Sequence, residues 1–339
     1  MYGFGSMLRD YLEYYKISQT DFAERLGVTQ KHINDIINNG KDISIELMIA
    51  ISLITDINPD LILKLENQKK VNNYLIEKFE TEDKIKDYLN SFDINEMIKR
   101  KWFKPKNITS YVQTAIDLLE YLKIKNFDVL DKYIENKVLY KKKDDASVKK
   151  VYLWIKRCDS LIKEQEITNY NKDNLKPLLE ELKIERNKPF NEENIIKILN
   201  KYGIYLVIEE ALKGTKIRGC MMVKGNNPAI YITKYFKEKS SFYFTLYHEI
   251  AHIKTDYNMA KNKIIIYNDI KEEETKRDKF ALNCMIEENI WKQILKEPNN
   301  KEKICKENKI PLCFLYTRLA YEGLISYKSK EYINNREKI

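Results

Sequence analysis

The sequence predicts a mainly α protein with an α+β C-terminal domain. Three observations predict it. Glycine and proline number only nine and seven in 339 residues, too few for a turn-rich β protein. Apolar residues recur at helical spacing along most of the chain. Between about residues 204 and 234 the pattern changes to short β-rich runs separated by turn residues. With 43% hydrophobic and 12% aromatic residues, the chain can bury real cores despite 33% charged residues. The expected division is a five-helix unit over 1–68, a helical linking domain over 69–187, and a third domain over 188–339 with a helical tail.

The N-terminal unit reads as five short helices. Leu8, Tyr11, Leu12 and Tyr15 recur at helical spacing. Ser18 can cap QTDFAERL, which stops at Gly27, and Thr29 can cap QKHINDIINN, which stops at Gly40. Ser44 can cap IELMIAISLI, and Asn58-Pro59 opens the fifth helix, because proline is tolerated in a first turn. Lys69 to Asn73 reads as a polar exit.

The linking segment has helical periodicity in TAIDLLEYLKI, NFDVLDKYIENKVLY and VKKVYLWIKRCDSLIKE, with a solvated loop and helix start at 141–150. In the third domain NEENIIKILNKYG is a helix ending at Gly203. Three strands follow, at 204–211, 217–225 and 229–234, with turn residues between them. Ser240 or Ser241 opens the long helix FYFTLYHEIAHIKTDY. A short strand, KIIIY, precedes the helix EEETKRDKFALNCMI.

Composition narrows the function classes. No stretch reaches the eighteen or so apolar residues of a membrane helix. Asp10 and Glu13 stand where a secretory peptide would be apolar. Five cysteines without a CxxC pair read as reduced, mostly buried thiols, so the expected location is cytoplasmic. The net charge of +9 invites a nucleic-acid reading. Yet residues 1–68 hold six Lys+Arg against ten Asp+Glu, whereas 69–190 hold 27 against 21. Bulk charge therefore does not locate a DNA-binding segment; only a motif can.

One motif is ISQTDFAERLGVTQKHINDIINNG, two short helices around a tight turn at Gly27. Ala23 is small where the helices approach, and Val28, Ile33 and Ile36 face inward. Gln30, Lys31, Asn34 and Asp35 are left on the outer face of the second helix, where they can reach base edges. Gln19 and Lys41 are placed for phosphates. The residues expected to meet double-stranded operator DNA are Gln19, Thr29, Gln30, Lys31, Asn34 and Lys41. His32 reads as a surface residue. Residues 8–66 resemble an XRE-family, phage-repressor-like domain, and GKDISIELMIAISLITDINPDLIL resembles its HigA/VapI antitoxin branch. The resemblance implies a five-helix, lambda-repressor-like fold. Because the segment is acidic, affinity would rest on a homodimer or on the basic remainder of the chain.

The other motif is His248-Glu249-Ile250-Ala251-His252. Two imidazoles at i and i+4 on one helix face can bind one Zn²⁺, with Glu249 as the catalytic base. With only three histidines in the chain, chance produces this pattern roughly 0.002 times. A catalytic site needs a third ligand. His32 lies in another domain, and the cysteines are badly placed. Glu272, Glu273 and Glu274 remain, against the alternative of an acidic first turn complementing the helix dipole. Glu274 is favoured because Asp278, four residues on, can accept the free N–H of a ligand histidine.

SFYFTLYHEIAHI followed by EEETKRDKFALNCMI resembles the ImmA/IrrE metallopeptidase family, with YLWIKRCDSLI, KYGIYLVIEE and IPLCFLYTRLAYEGLI extending the likeness. The resemblance implies a zincin-like domain in which the third ligand matches Glu274. Two departures are Arg277, where the family has Ala, and Ile286-Glu287, where a proline often closes the helix. Tyr247 adjoins the motif, and the strand AIYITK offers an edge to an extended peptide.

Together these imply a DNA-binding regulator coupled to a zinc endopeptidase that cleaves a repressor-like protein or itself. The alternative is a HigA-like antitoxin that autorepresses its operon and neutralises a partner toxin, its zinc domain structural or sensory.

Overall fold

The computed structural model describes residues 3–139, 145–233, 237–266 and 272–339. It is mostly helical, with one small mixed sheet in the C-terminal region. Contacts divide the chain into two compact units, residues 1–90 with 103–121, and residues 91–102 with 122–339.

The first unit contains α1 (Phe4–Tyr14), α2 (Gln19–Leu26), α3 (Gln30–Asn38), α4 (Ile45–Thr55), α5 (Pro59–Phe79) and α6 (Glu82–Asn90). Its caps follow the sequence. The hydroxyls of Ser18, Thr29 and Ser44 accept the N–H groups of Asp21, His32 and Leu47, and the Asn58 side chain accepts that of Asp60. Gly27 ends α2 at φ 68°, a left-handed turn that glycine adopts without steric cost. Phe4, Leu8, Phe22, Ala23, Ile33, Ile36, Ile51 and Ile62 form the core, with Val28 packed against it.

The fifth helix is not short. It runs 21 residues, straight through the polar exit expected at Lys69–Asn73 and the boundary expected at 68/69. The reason is a buried polar face. Glu66, Lys69 and Asn72 are buried with Leu75 along one side of α5. Lys69 Nζ lies 2.5 Å from Glu66 Oε2 and 3.1 Å from Asp42, and donates to the carbonyl of Gly40. Glu66 Oε1 accepts the first N–H of α1, from Phe4. A polar run thus continues a helix because its buried charges, Glu66 and Lys69, find partners, although Asn72 Oδ1 is buried without one.

The remaining helices are α7 (Ile94–Lys99), α8 (Tyr111–Leu122), α9 (Phe127–Lys137), α10 (Asp145–Leu161), α11 (Leu175–Glu185), α12 (Glu192–Lys201), α13 (Lys239–Ala260), α14 (Glu272–Met285), α15 (Glu288–Lys296), α16 (Lys301–Glu307), α17 (Leu312–Tyr321) and α18 (Lys330–Asn335). The expected loop at 141–144 and the ends of two expected strands, Lys234 and Tyr267, lie outside the described residues. The expected linking domain of 69–187 is shared between the two units rather than standing as a third body. Part of the cause is α10, which joins the second unit. Trp154 on it donates to the Glu209 carbonyl, and Asp159 accepts the hydroxyl of Tyr231 in the sheet.

The sheet has strands β1 (Val138–Leu139), β2 (Tyr205–Ile208), β3 (Gly219–Lys224), β4 (Asn227–Ile232) and β5 (Ile264–Ile266) in the order β1-β5-β3-β4-β2. β3 and β4 form a hairpin in the register Gly219↔Ile232, closed by Gly225 and Asn226. β4 also pairs in parallel with β2. AIYITK therefore offers no free edge, because β4 is hydrogen-bonded on both sides. Helix α13 packs across β3 and β4. It starts at Lys239, earlier than the serines, and Ser240 is buried with its Oγ accepting from Thr317. This arrangement holds the HExxH segment rigidly between the sheet and α14.

Candidate metal centre and DNA-reading helix

The long helix α13 is buried on nearly all sides from Phe242 to Ile253, because sheet, α14 and α17 all pack on it. His248, Glu249 and His252 are almost wholly removed from solvent. The spacing of four residues puts both imidazoles on the face toward α14. There, His248 Nε2 and His252 Nε2 are 3.2 Å apart. Glu274 Oε2 lies 2.9 Å from the first and 3.6 Å from the second. No other group of His, Cys, Asp and Glu side chains of this compactness stands among the described residues. The side chains of Glu272 and Glu273, the other carboxylates considered, lie outside the described residues.

The hydrogen bonds behind the two rings set what this triangle can hold. His248 Nδ1 sits 2.8 Å from Asp278 Oδ1, and His252 Nδ1 sits 2.8 Å from Asp256 Oδ2. A carboxylate can only accept, so each Nδ1 carries a proton, and each ring in its neutral form presents a bare Nε2. Two lone pairs and a carboxylate oxygen then converge, and Glu274 Oε2 makes no hydrogen bond of acceptable geometry. Ligands about 2.0–2.1 Å from a tetrahedral ion stand about 3.3 Å apart, and the three separations here bracket that value. The donor set therefore fits Zn²⁺ with one coordination position left open.

Electrostatics point the same way. Burial opposes charging His252, but Asp256 and Glu274 outweigh it and raise its pKa to about 9. His248 is raised by Asp278 and Glu274 against the same burial. Burial opposes ionisation of Glu274 too, yet its two histidine neighbours hold its carboxyl well below the usual range. The cluster is thus a strong attractor for positive charge, whether protons or a dication. Burial pushes Glu249 up to about 7, with the histidines opposing the rise. Both its carboxylate oxygens are buried without a hydrogen-bond partner. Its Oε1 abuts the start of β3, where a Cβ on Gly219 would come within 2.7 Å. A close-fitting glycine and an unpartnered carboxylate with a pKa near neutrality suit a general base.

The structure adds residues that the motif alone did not reveal. Asp256 orients His252, and its i,i+4 spacing on α13 was visible in HEIAHIKTD. Arg277 donates to Asp256 Oδ2 at 2.8 Å and reaches Glu274 Oε1 at 3.5 Å. It thereby engages the outer oxygen of Glu274 and leaves Oε2 facing the histidines. Tyr321, on α17, donates to Asp278 Oδ2 at 2.8 Å. No sequence spacing signals that contact. Tyr247 points elsewhere, into a cavity lined by Leu179, Lys183 and Cys284. The five cysteines are free thiols, and all but Cys284 are fully buried.

In the first unit, α3 begins at Gln30 with its N-terminus exposed. Gln30, Lys31 and Lys41 are exposed, and Gln19 and Asn34 half-exposed, while Ile33, Ile36 and Ile37 fill the opposite face. Asn34 Oδ1 accepts from Asn38, and the Thr29 hydroxyl caps the helix. Lys31→Ala and Lys41→Ala are each expected to lower affinity for enriched genomic DNA and to reduce the salt slope by about one. Fluorescence anisotropy across a salt series reads both.

A helix-turn-helix family model matches residues 8–62 of the chain. Comparison with curated proteins and with solved structures gives no match. No helix among the described residues is long and apolar enough to cross a membrane. The exposed recognition face, the capped α2–Gly27–α3 turn and this match support a DNA-binding regulator whose N-terminal unit carries an XRE-type helix-turn-helix.

Proposed function

We propose that the chain couples this DNA-binding unit to a zinc-dependent endopeptidase of the ImmA/IrrE type. Its substrate would be a repressor-like regulatory protein or the chain itself. The observation that carries the reading is the convergence of His248 Nε2, His252 Nε2 and Glu274 Oε2 beside the unpartnered Glu249. A metal site that is only structural closes its coordination shell with four protein ligands, whereas three ligands and an adjacent base suit hydrolysis.

Zinc bound there would supply Lewis acidity to polarise a scissile carbonyl and acidify a water. The chain's own residues do the rest. Asp278 and Asp256 keep the two imidazoles in the Nε2-bare tautomer. Arg277 steadies Glu274. Glu249 takes a proton from the attacking water and delivers it to the departing amine nitrogen.

The test is zinc-dependent proteolysis. Full-length protein incubated with a proteome-derived peptide library should cleave a subset of peptides. A chelator should stop this and added zinc should restore it. A library left intact with stoichiometric zinc bound, beside neutralisation of a neighbouring small toxin, would favour the antitoxin reading instead.

A further inference from the structure

A cavity of about 400 Å³ lies one helical turn from the metal-ligand cluster, lined in part by Ser241, Phe244, Leu282, Thr317, Tyr321 and Tyr327. Its position follows from helical spacing. Phe244 is four residues before His248 on α13, and Leu282 is four residues after Asp278 on α14. The cavity therefore continues along the two helix faces that hold the ligands. The Phe244 ring is 6.4 Å from the His248 ring and 5.5 Å from the Tyr321 ring. Tyr321 spans from the cavity wall to Asp278, its hydroxyl 2.8 Å from Oδ2. Arg218, also on the lining, directly precedes the glycine that touches Glu249.

We propose that this cavity receives a large apolar or aromatic side chain of the peptide substrate, next to the bond to be cut. The assignment rests on the zinc-peptidase reading above. Phe244, Leu282, Tyr321, Tyr327 and Tyr332 supply its apolar surface, and Arg218, Arg336, Ser241 and Thr317 stand among them. The acidic lining group, Glu238, is engaged by Arg336 at 3.5 Å and by the Tyr332 hydroxyl at 2.7 Å, so the pocket has no carboxylate held ready for a basic side chain. The volume is at the small end of ligand pockets, which run about 300–1,000 Å³, and so suits one large side chain with its flanking backbone.

Hydroxamates that share one metal-binding group separate this pocket from the metal centre. Zinc-loaded full-length protein is titrated with acetohydroxamate, 3-phenylpropanohydroxamate and 6-aminohexanohydroxamate. The phenyl compound should bind roughly tenfold or more tighter than the acetyl compound, because its ring leaves water, and the cationic compound should gain nothing. Leu282→Trp, which fills the cavity, and Tyr327→Ala, which removes part of its rim, should each erase the phenyl preference while zinc content stays at the wild-type level. Tyr327 is half-exposed and carries the test if Leu282→Trp fails to fold. Equal affinity for the acetyl and phenyl compounds, or a phenyl preference that survives Tyr327→Ala, overturns the pocket assignment. No binding of acetohydroxamate overturns the metal-centre reading, and the pocket assignment falls with it.

Discussion

Glu249→Gln should leave zinc content unchanged and lower the cleavage rate about 10²- to 10⁴-fold, the usual worth of a general base. The substitution is nearly isosteric, so the fit against Gly219 is kept. Glu249 is not one of the converging metal-ligand atoms. What changes is the ability to take a proton. The site removes Glu249 from water and gives it no hydrogen-bond partner, and this holds its pKa near neutrality. An amide cannot do that task at any pH. Single-turnover cleavage of the best library peptide, measured beside zinc analysis of the same sample, checks both halves. A variant that cleaves at the wild-type rate would remove Glu249 from the chemistry.

Lys69→Met is expected to destabilise the first unit by about 3–5 kcal/mol. The side chain is buried against Glu66, and its removal leaves that carboxylate buried without its cation. The same ammonium holds the carbonyls of Gly40 and Lys41, so the connection from α3 to α4 loosens with it. Glu66 also accepts the first N–H of α1, which extends the damage to the recognition unit's first helix. Differential scanning calorimetry should show one thermal transition lowered by roughly ten degrees or more, as expected for a unit of this size. The double variant Glu66→Gln/Lys69→Met should recover much of the loss, because no buried charge then stands alone. Burial lowers the pKa of Lys69, but Glu66 and Asp42 outweigh it and raise the value above the ordinary 10.5. The stabilisation that depends on the Lys69 charge is therefore present below the ordinary lysine value and is lost as pH rises through the raised one.

These two residues show which parts of the molecule the sequence exposes. The His/Glu cluster was legible because histidine is rare in this chain and its spacing is helical. His248, Glu249, His252, Glu274 and Asp278 come from two helices whose periodicity alone aligns them. Asp256 was within reach of the same argument, since it continues the spacing of His248 and His252 by four more residues. Gly219 and Tyr321 were not, because Gly219 comes from a strand, 30 positions before Glu249, and Tyr321 from a helix, 43 positions after Asp278. Local pattern carries no record of which distant element lands on a site.

The helix caps were equally readable, because capping is a contact of two or three residues. The run Lys69–Asn73 misled for the opposite reason. Polar residues usually mark exposure, and only the distant partners of Lys69, which are Asp42 and the carbonyls of Gly40 and Lys41, show that this run is partly interior. Strand order belongs to the same class. AIYITK has the composition of a strand, but whether β4 lies inside the sheet or on its rim depends on β2, whose paired residues stand 24 positions earlier in the chain. The acidic balance of residues 1–68 remains in place around a recognition helix whose exposed face is polar. Within that unit, DNA affinity would rest on a few positions, and Lys31 and Lys41 are the exposed cations expected to release counterions there.

The most direct test of the account is metal analysis of the purified full-length protein. It predicts about one zinc per chain in the wild type and in Glu249→Gln, and almost none in His248→Ala or Glu274→Ala. Zinc well below one per chain in the wild type, or full zinc in His248→Ala, would contradict it.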